Sequence, residues 1–125
     1  MTMVGHPEPA WTATAYVKGE QKTISNTDYK GKWHVLYWYP LDFTFVCPTE
    51  LVAFNHRLDE FRKRNCEVVS VSVDSKFSHI AWKNTPEEKG GVGALQYPMV
   101  SDITKQIARD YDVLMDAGIA LRGTF

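Results

Sequence analysis

Cysteine is scarce in this sequence: Cys47 and Cys66 are the only two in 125 residues. They form no C-x-x-C pair, and no Cys/His cluster stands at zinc-finger spacing, which argues against a disulfide scaffold or a structural metal site as the organising device. His6, His34, His56 and His79 have no mutual ligand spacing, so they read as core or surface imidazoles and no metal is expected. An excess of one charge is also missing. The 14 basic and 15 acidic residues are scattered and sum to -1, leaving no electrostatic footprint for nucleic acid or an anionic membrane. No apolar run approaches the ~20 residues that span a bilayer. Residues Met1 to Ala10 hold no basic segment followed by an apolar core, so no targeting peptide is read there. These absences predict no nucleic-acid partner, no membrane partner and a cytoplasmic location, where reduced thiols belong. No internal repeat or low-complexity segment is present.

What is there is enough for one core. With 44% hydrophobic residues, the chain has the size of a single globular domain. Ala13 to Val17 and Gln21 to Ile24 flank Lys18-Gly19-Glu20 as a hairpin, read as an opening lobe. Trp33 to Tyr39 is aromatic and β-branched with little alternation, the pattern of a strand covered on both faces, and it ends at Pro40. From Pro48 onward Leu51, Val52, Phe54, Leu58 and Phe61 recur at helical spacing, which predicts one helix of about four to five turns. Val68 to Asp74 reads as a second buried strand. The resulting β-α-β unit makes the two strands parallel, with their carboxyl ends on one edge of the sheet, where ligands of open α/β sheets bind. Further helices are predicted over Phe77 to Lys83 and Thr104 to Val113, and Leu121 to Phe125 looks like the opening of a strand.

Cys47 lies just past that carboxyl edge, at the start of the predicted helix. The N–H groups of a helix start have no intrahelical partners, and with the macrodipole they favour negative charge. If the thiol's pKa falls from about 8.5 to about 6, the thiolate fraction at pH 7 rises from roughly 3% to roughly 90%. Such a placement suits a nucleophile, and by itself leaves proteases, sensors and redox enzymes open. The neighbours are ambiguous when read alone. Pro48 fits the first helical turn of any fold. Thr44 could turn its hydroxyl to the sulfur or merely cap a turn. Pro40 could shield a pocket or only end a strand. Glu50 is a favourable first-turn acid, yet its charge should raise the cysteine pKa unless a cation neutralises it.

The segment Tyr39-Pro40-Leu41-Asp42-Phe43-Thr44-Phe45-Val46-Cys47-Pro48-Thr49-Glu50, with its Pro40-x-x-x-Thr44-x-x-Cys47 spacing, resembles the active-site segment of the peroxiredoxins. More narrowly it is similar to the typical two-cysteine group that includes bacterial alkyl hydroperoxide reductase. Asp28 to Lys32, Val71 to Ser75, Ala81 to Pro86, Pro98 to Asp102 and Leu121 to Phe125 stand in family order as well. The resemblance implies a thioredoxin-like α/β fold with a central mixed sheet flanked by helices. It also implies a peroxidase that reduces hydrogen peroxide and small organic hydroperoxides without a cofactor. Cys47 would be the attacking thiolate, Thr44 would hydrogen-bond the peroxide, and Pro40 would screen the sulfenic acid. Arg122, by spacing alone a surface arginine, falls where the family has its active-site arginine, and Glu50 would pair with it. The implied partners are a thiol reductant such as thioredoxin or a dedicated disulfide reductase, and further copies of the chain in dimers and rings. Gly90-Gly91-Val92-Gly93 lacks the Lys-Ser/Thr continuation of a phosphate loop. It resembles the glycine motif of over-oxidation-sensitive members, with Val92 where leucine is usual.

Cys66 follows Cys47 by nineteen residues, and a helix of that length at about 1.5 Å per residue would hold the two nearly 30 Å apart, against about 7 Å between Cα atoms for a disulfide. It is expected to be a buried structural thiol. In the group resembled, the resolving cysteine sits in a C-terminal segment and attacks from the partner subunit. The expectation is therefore one domain over residues 1–125, short of its C-terminal part. A rival expectation from another class is a redox-regulated holdase or scaffold that does not need the thiol. Protein disulfide exchange is weakened by the missing C-x-x-C.

Overall fold

Lys18 and Gly19 both take positive φ, 47° and 85°, the backbone that a tight two-residue hairpin requires. They join β1 (Thr12–Val17) to β2 (Glu20–Ser25) in antiparallel register, with Val17 opposite Glu20 and Thr12 opposite Ser25. The computed structural model describes residues 3–43, 47–93 and 95–125, with Cys47 described in its backbone alone. Among them the predicted hairpin forms, but it is no separate lobe. Ala15 is fully buried, and β1 also pairs antiparallel with β5 (Met99–Ser101), so the hairpin is one edge of the main sheet.

The β-α-β unit forms as expected. β3 (Trp33–Trp38) and β4 (Cys66–Ser72) run parallel, Trp33 opposite Cys66 and Trp38 opposite Val71. Their crossover differs from the single helix predicted: α1 (Cys47–His56) and α2 (Leu58–Lys63) meet at Arg57, whose φ of −103° and ψ of 7° leave the α region. Hydrogen bonds from Arg57 N–H to the Ala53 carbonyl and from Phe61 N–H to the Arg57 carbonyl carry the ladder across, so the run bends without separating. Leu51 and Leu58 on either side of the bend are buried against the sheet.

α3 (Lys76–Lys83) starts at Ser75, whose Oγ accepts the Ser78 N–H at 3.2 Å. α4 (Gln106–Asp110) is shorter than the predicted 104–113 because positive φ at Lys105 (66°) and Asp112 (57°) turns the chain at both ends. Its start is closed from outside by Asp102, whose buried carboxylate accepts the N–H groups of Ile107 at 3.2 Å and Ala108 at 2.8 Å. β6 (Gly123–Thr124) pairs antiparallel with β3, as the strand-like last residues suggested. The sheet order is β2-β1-β5-β4-β3-β6.

Strand alternation divides the core in two. Leu36, Trp38, Val69 and Val71 face Ile107, Ala108, Tyr111 and Val113. Tyr37, Tyr39 and Val68 face Leu51, Leu58 and Trp82 on the other side. Coverage on both faces holds for Leu36 to Tyr39, whereas Trp33 at the strand's start is 77% exposed. The glycine segment packs over Trp82. The Trp82 indole donates to the Gly90 carbonyl at 3.0 Å, Val92 is buried, and a Cβ on Gly91 would lie 1.9 Å from the Thr85 carbonyl oxygen. No helix of the described residues is long and apolar enough to cross a membrane.

Lys83 ends α3 almost wholly buried. Its ammonium donates to the Leu95 carbonyl at 3.1 Å and lies 4.9 Å from the centre of the Tyr16 ring. Burial lowers its pKa from 10.5 to about 8. Between those two values the unfolded chain holds a proton that the folded chain has lost, so stability rises with pH across that window. Denaturant unfolding of the wild type and Lys83→Met at pH 7 and pH 10 checks this: the wild type should gain on the variant at the higher pH, and a constant difference would contradict it.

Candidate active site

The site begins where β3 leaves the sheet. Tyr39 still donates its N–H to the Val71 carbonyl at 3.2 Å, and half-buried Pro40 then bends the chain. Asp42 is buried and Phe43 adopts φ 57°, a left-handed turn that a bulky side chain rarely takes. Thr44 lies outside the described residues, as does the side chain of Cys47. The backbone of Cys47 opens α1, with buried Pro48 next to it, as the sequence predicts. The helix is seated by its neighbours: the Tyr97 hydroxyl donates to the Leu51 carbonyl at 2.6 Å, and Asn55 Oδ1 accepts the Gln96 N–H at 2.8 Å.

Arg122 reaches this helix through the β6 pairing. Leu36 and Phe125 exchange backbone hydrogen bonds of 2.9 and 3.0 Å, and Tyr37 stands opposite Thr124. That register carries Arg122 to the first turn of α1, where its Nε donates to Glu50 Oε1 at 2.9 Å. The Tyr37 hydroxyl donates to the other oxygen, Oε2. Glu50 thus holds a guanidinium from one strand and a phenol from another, one turn after Cys47. The pair is partly solvated, 43% and 36% exposed, so its value lies in placing the guanidinium and neutralising the acid more than in stability. Tyr37, read from sequence as core, is indeed buried and also orients Glu50.

A second cluster was not legible as a site. Asp42 Oδ1 accepts the Tyr39 hydroxyl at 2.7 Å, and its Oδ2 accepts the Ser78 hydroxyl at 2.9 Å and meets His79 Nδ1 at 2.7 Å. His79 Nε2 meets the Val100 carbonyl at 3.0 Å. The Asp42 N–H donates to Asp74 Oδ2 at 2.9 Å, and the Ser72 hydroxyl reaches the same oxygen at 2.7 Å. Burial and the Asp42 charge push the Tyr39 phenol well above its ordinary value, which keeps it a donor. Burial, with the Asp42 charge second, raises Asp74. His79 is therefore the core imidazole expected. The signal for more was Asp42 itself, an acid inside the motif between Pro40 and Thr44.

Cys66 departs from expectation. It is half-buried instead of buried, and it opens β4 opposite Trp33, at the amino end of the strand whose carboxyl end leads to Cys47. Burial, with the Glu67 charge second, raises its thiol above the ordinary value. The six residues of β3, at about 3.3 Å each, keep the two cysteines at opposite ends of the sheet. Among the described residues no group of three or more His, Cys, Asp or Glu is arranged to hold a metal ion.

The chain is similar to known proteins in sequence and in fold. The model of the AhpC/TSA family matches residues 4–125. Peroxiredoxin-2 of Bos taurus is 57% identical over 123 residues, covering 98% of this chain and 62% of the relative. The mitochondrial thioredoxin-dependent peroxide reductase of Mus musculus is 61% identical over 118 residues, covering 94% of this chain and 46% of the relative. This chain thus spans less than two thirds of the length of either curated relative. The crystal structure of the reduced Plasmodium vivax 2-Cys peroxiredoxin superposes with a TM-score of 0.95 at 46% identity, covering 98% of this chain and 77% of that one. The mixed sheet with flanking helices is the thioredoxin-like fold of these neighbours.

The Glu50–Arg122 pair carries a signed expectation for Cys47. Replacing Arg122 with Met leaves the Glu50 carboxylate uncompensated one turn from the thiol, which should raise its pKa by about one unit or more, and adding Glu50→Gln should recover part of that rise. The pH dependence of iodoacetamide alkylation at Cys47 measures it. An unchanged midpoint in Arg122→Met would contradict the assignment.

Proposed function

The chain belongs to the AhpC/TSA family, and from that premise we propose that it is a thiol-specific peroxidase acting on hydrogen peroxide and small organic hydroperoxides, with Cys47 as the attacking residue. The thiolate sulfur bonds to one peroxide oxygen as the O–O bond breaks, and the departing oxygen takes a proton to leave as water or alcohol. Cys47 is left as a sulfenic acid. The observation that carries the reading is the guanidinium of Arg122 bound to Glu50 in the first turn of the helix that Cys47 opens. A permanent cation there favours the thiolate and the charge that develops on the leaving oxygen, and a partly buried setting strengthens both effects. Thr44 is assigned to orient the peroxide, Pro40 to screen the sulfenic acid, and Glu50 to hold Arg122.

The sulfenic acid must be returned to a thiol by another thiol, and the position of Cys66 across the sheet argues against that residue as the source. A thioredoxin-class reductant is proposed, in line with the name of the mouse relative. The domain is proposed to be a single thioredoxin-like unit that works in a reducing compartment, the cytoplasm, and assembles with copies of itself as a dimer or ring.

Peroxide consumption with dithiothreitol as reductant tests this without a protein partner. Cys47→Ser should lose about 100-fold or more of the rate, since the nucleophile itself is removed. Cys66→Ser should keep it. Retained turnover in Cys47→Ser sinks the proposal.

A further inference from the structure

His79 is buried with both ring nitrogens against acceptors. The Val100 carbonyl can only accept, so Nε2 carries a proton. Nδ1 faces Asp42 Oδ2 at 2.7 Å, and that carboxyl group already accepts a hydroxyl on each oxygen, from Tyr39 and from Ser78. One short hydrogen bond therefore joins Asp42 to His79, and both oxygens of the carboxyl group are engaged. The two side chains, 1% and 0% exposed, form a hydrogen-bonded pair inside the fold.

Its location gives the pair a task. Asp42 is the last buried residue before the chain turns through the left-handed Phe43 toward Cys47. A phenylalanine in that conformation persists only where its surroundings hold it. Here the hold comes from three directions: His79 and Ser78 on α3, Tyr39 at the end of β3, and Asp74, which fixes the Asp42 N–H from beyond the end of β4. His79 in turn is tied to β5 through Val100. Neither residue is needed for the electrostatics of the Glu50–Arg122 pair, which draws on α1, β3 and the residue before β6.

We propose that the hydrogen-bonded Asp42–His79 pair is the positioning element for Cys47, clamping the turn at Phe43 so that the thiolate meets a peroxide in attacking geometry. The proposal rests on the reading of Cys47 as the peroxide-reducing thiol. It assigns the pair no contact with substrate. Alkylation by iodoacetamide needs only a thiolate, whereas attack on a peroxide also needs the oxygen to be held in line, so the two reactions should respond differently.

Asp42→Asn and His79→Gln, singly and together, test it with two rates at Cys47: reaction with hydrogen peroxide and alkylation by iodoacetamide. Each single variant should lose about 10- to 100-fold in the peroxide rate while alkylation stays within about threefold. The double variant should lose about as much as the worse single one, because the two residues act as a unit. Equal losses in both reactions, or single losses that multiply in the double variant, overturn the proposal. If these variants do not fold, Ser78→Ala removes one donor from Asp42 Oδ2 and carries the same comparison. A peroxide loss of about threefold or more with alkylation intact supports the clamp, and an unchanged peroxide rate overturns it. A wild type unreactive to peroxide at Cys47 would instead remove the functional reading beneath it.

Discussion

Parallel pairing of β3 with β4 is the constraint on which the rest of this molecule hangs. Parallel strands cannot be joined by a tight turn, so the chain must cross the sheet, and α1 with α2 is that crossing. The crossing begins beyond the carboxyl end of β3, which sets the start of a helix, with its unpaired N–H groups, at the edge where α/β sheets bind ligands. Cys47 sits at that start and Cys66 at the other end of the same strand pair. One register therefore sets the two cysteines apart, the Cys47 backbone at the start of a helix and Cys66 at a strand's first residue, where burial pushes its thiol toward the protonated form.

The site's charges are arranged in two layers. The outer pair, Glu50 with Arg122, is partly solvated and is set by β6 lying against β3. The inner pair, Asp42 with His79, is dry and braced by hydroxyls and by the Asp74 carboxylate. Leaving a buried polar group without its partner typically costs about 1–3 kcal/mol, while a solvated pair holds its partners more loosely. The proposed roles follow that division, the inner pair holding the turn at Phe43 and the outer pair setting the charge in the first turn of α1.

How much of this was legible in the sequence follows from the range of each interaction. The hairpin, the two parallel strands and α3 are written in local periodicity and turn residues, and they form where those patterns predict. The end of the Thr104 to Val113 pattern was missed because Lys105 and Asp112 take positive φ, which side-chain periodicity does not report. The opening lobe became a sheet edge because the partner of β1, Met99 to Ser101, lies far along the chain. Arg122 was identifiable only by family resemblance, since its approach to Glu50 depends on a two-residue strand. Asp42 and His79 were each visible as residue types, but their pairing spans 37 positions and a crossover. The half-exposure of Cys66 accompanies its place as the first residue of β4, at the sheet's rim.

If Cys47 is the residue that takes the peroxide oxygen, mass measurement will find that oxygen there. Reduced protein treated with one equivalent of hydrogen peroxide and trapped with a sulfenic-acid reagent should gain one adduct, and fragmentation should locate it on Cys47. An adduct on Cys66, or peroxide consumed with Cys47 unmodified, would contradict the account.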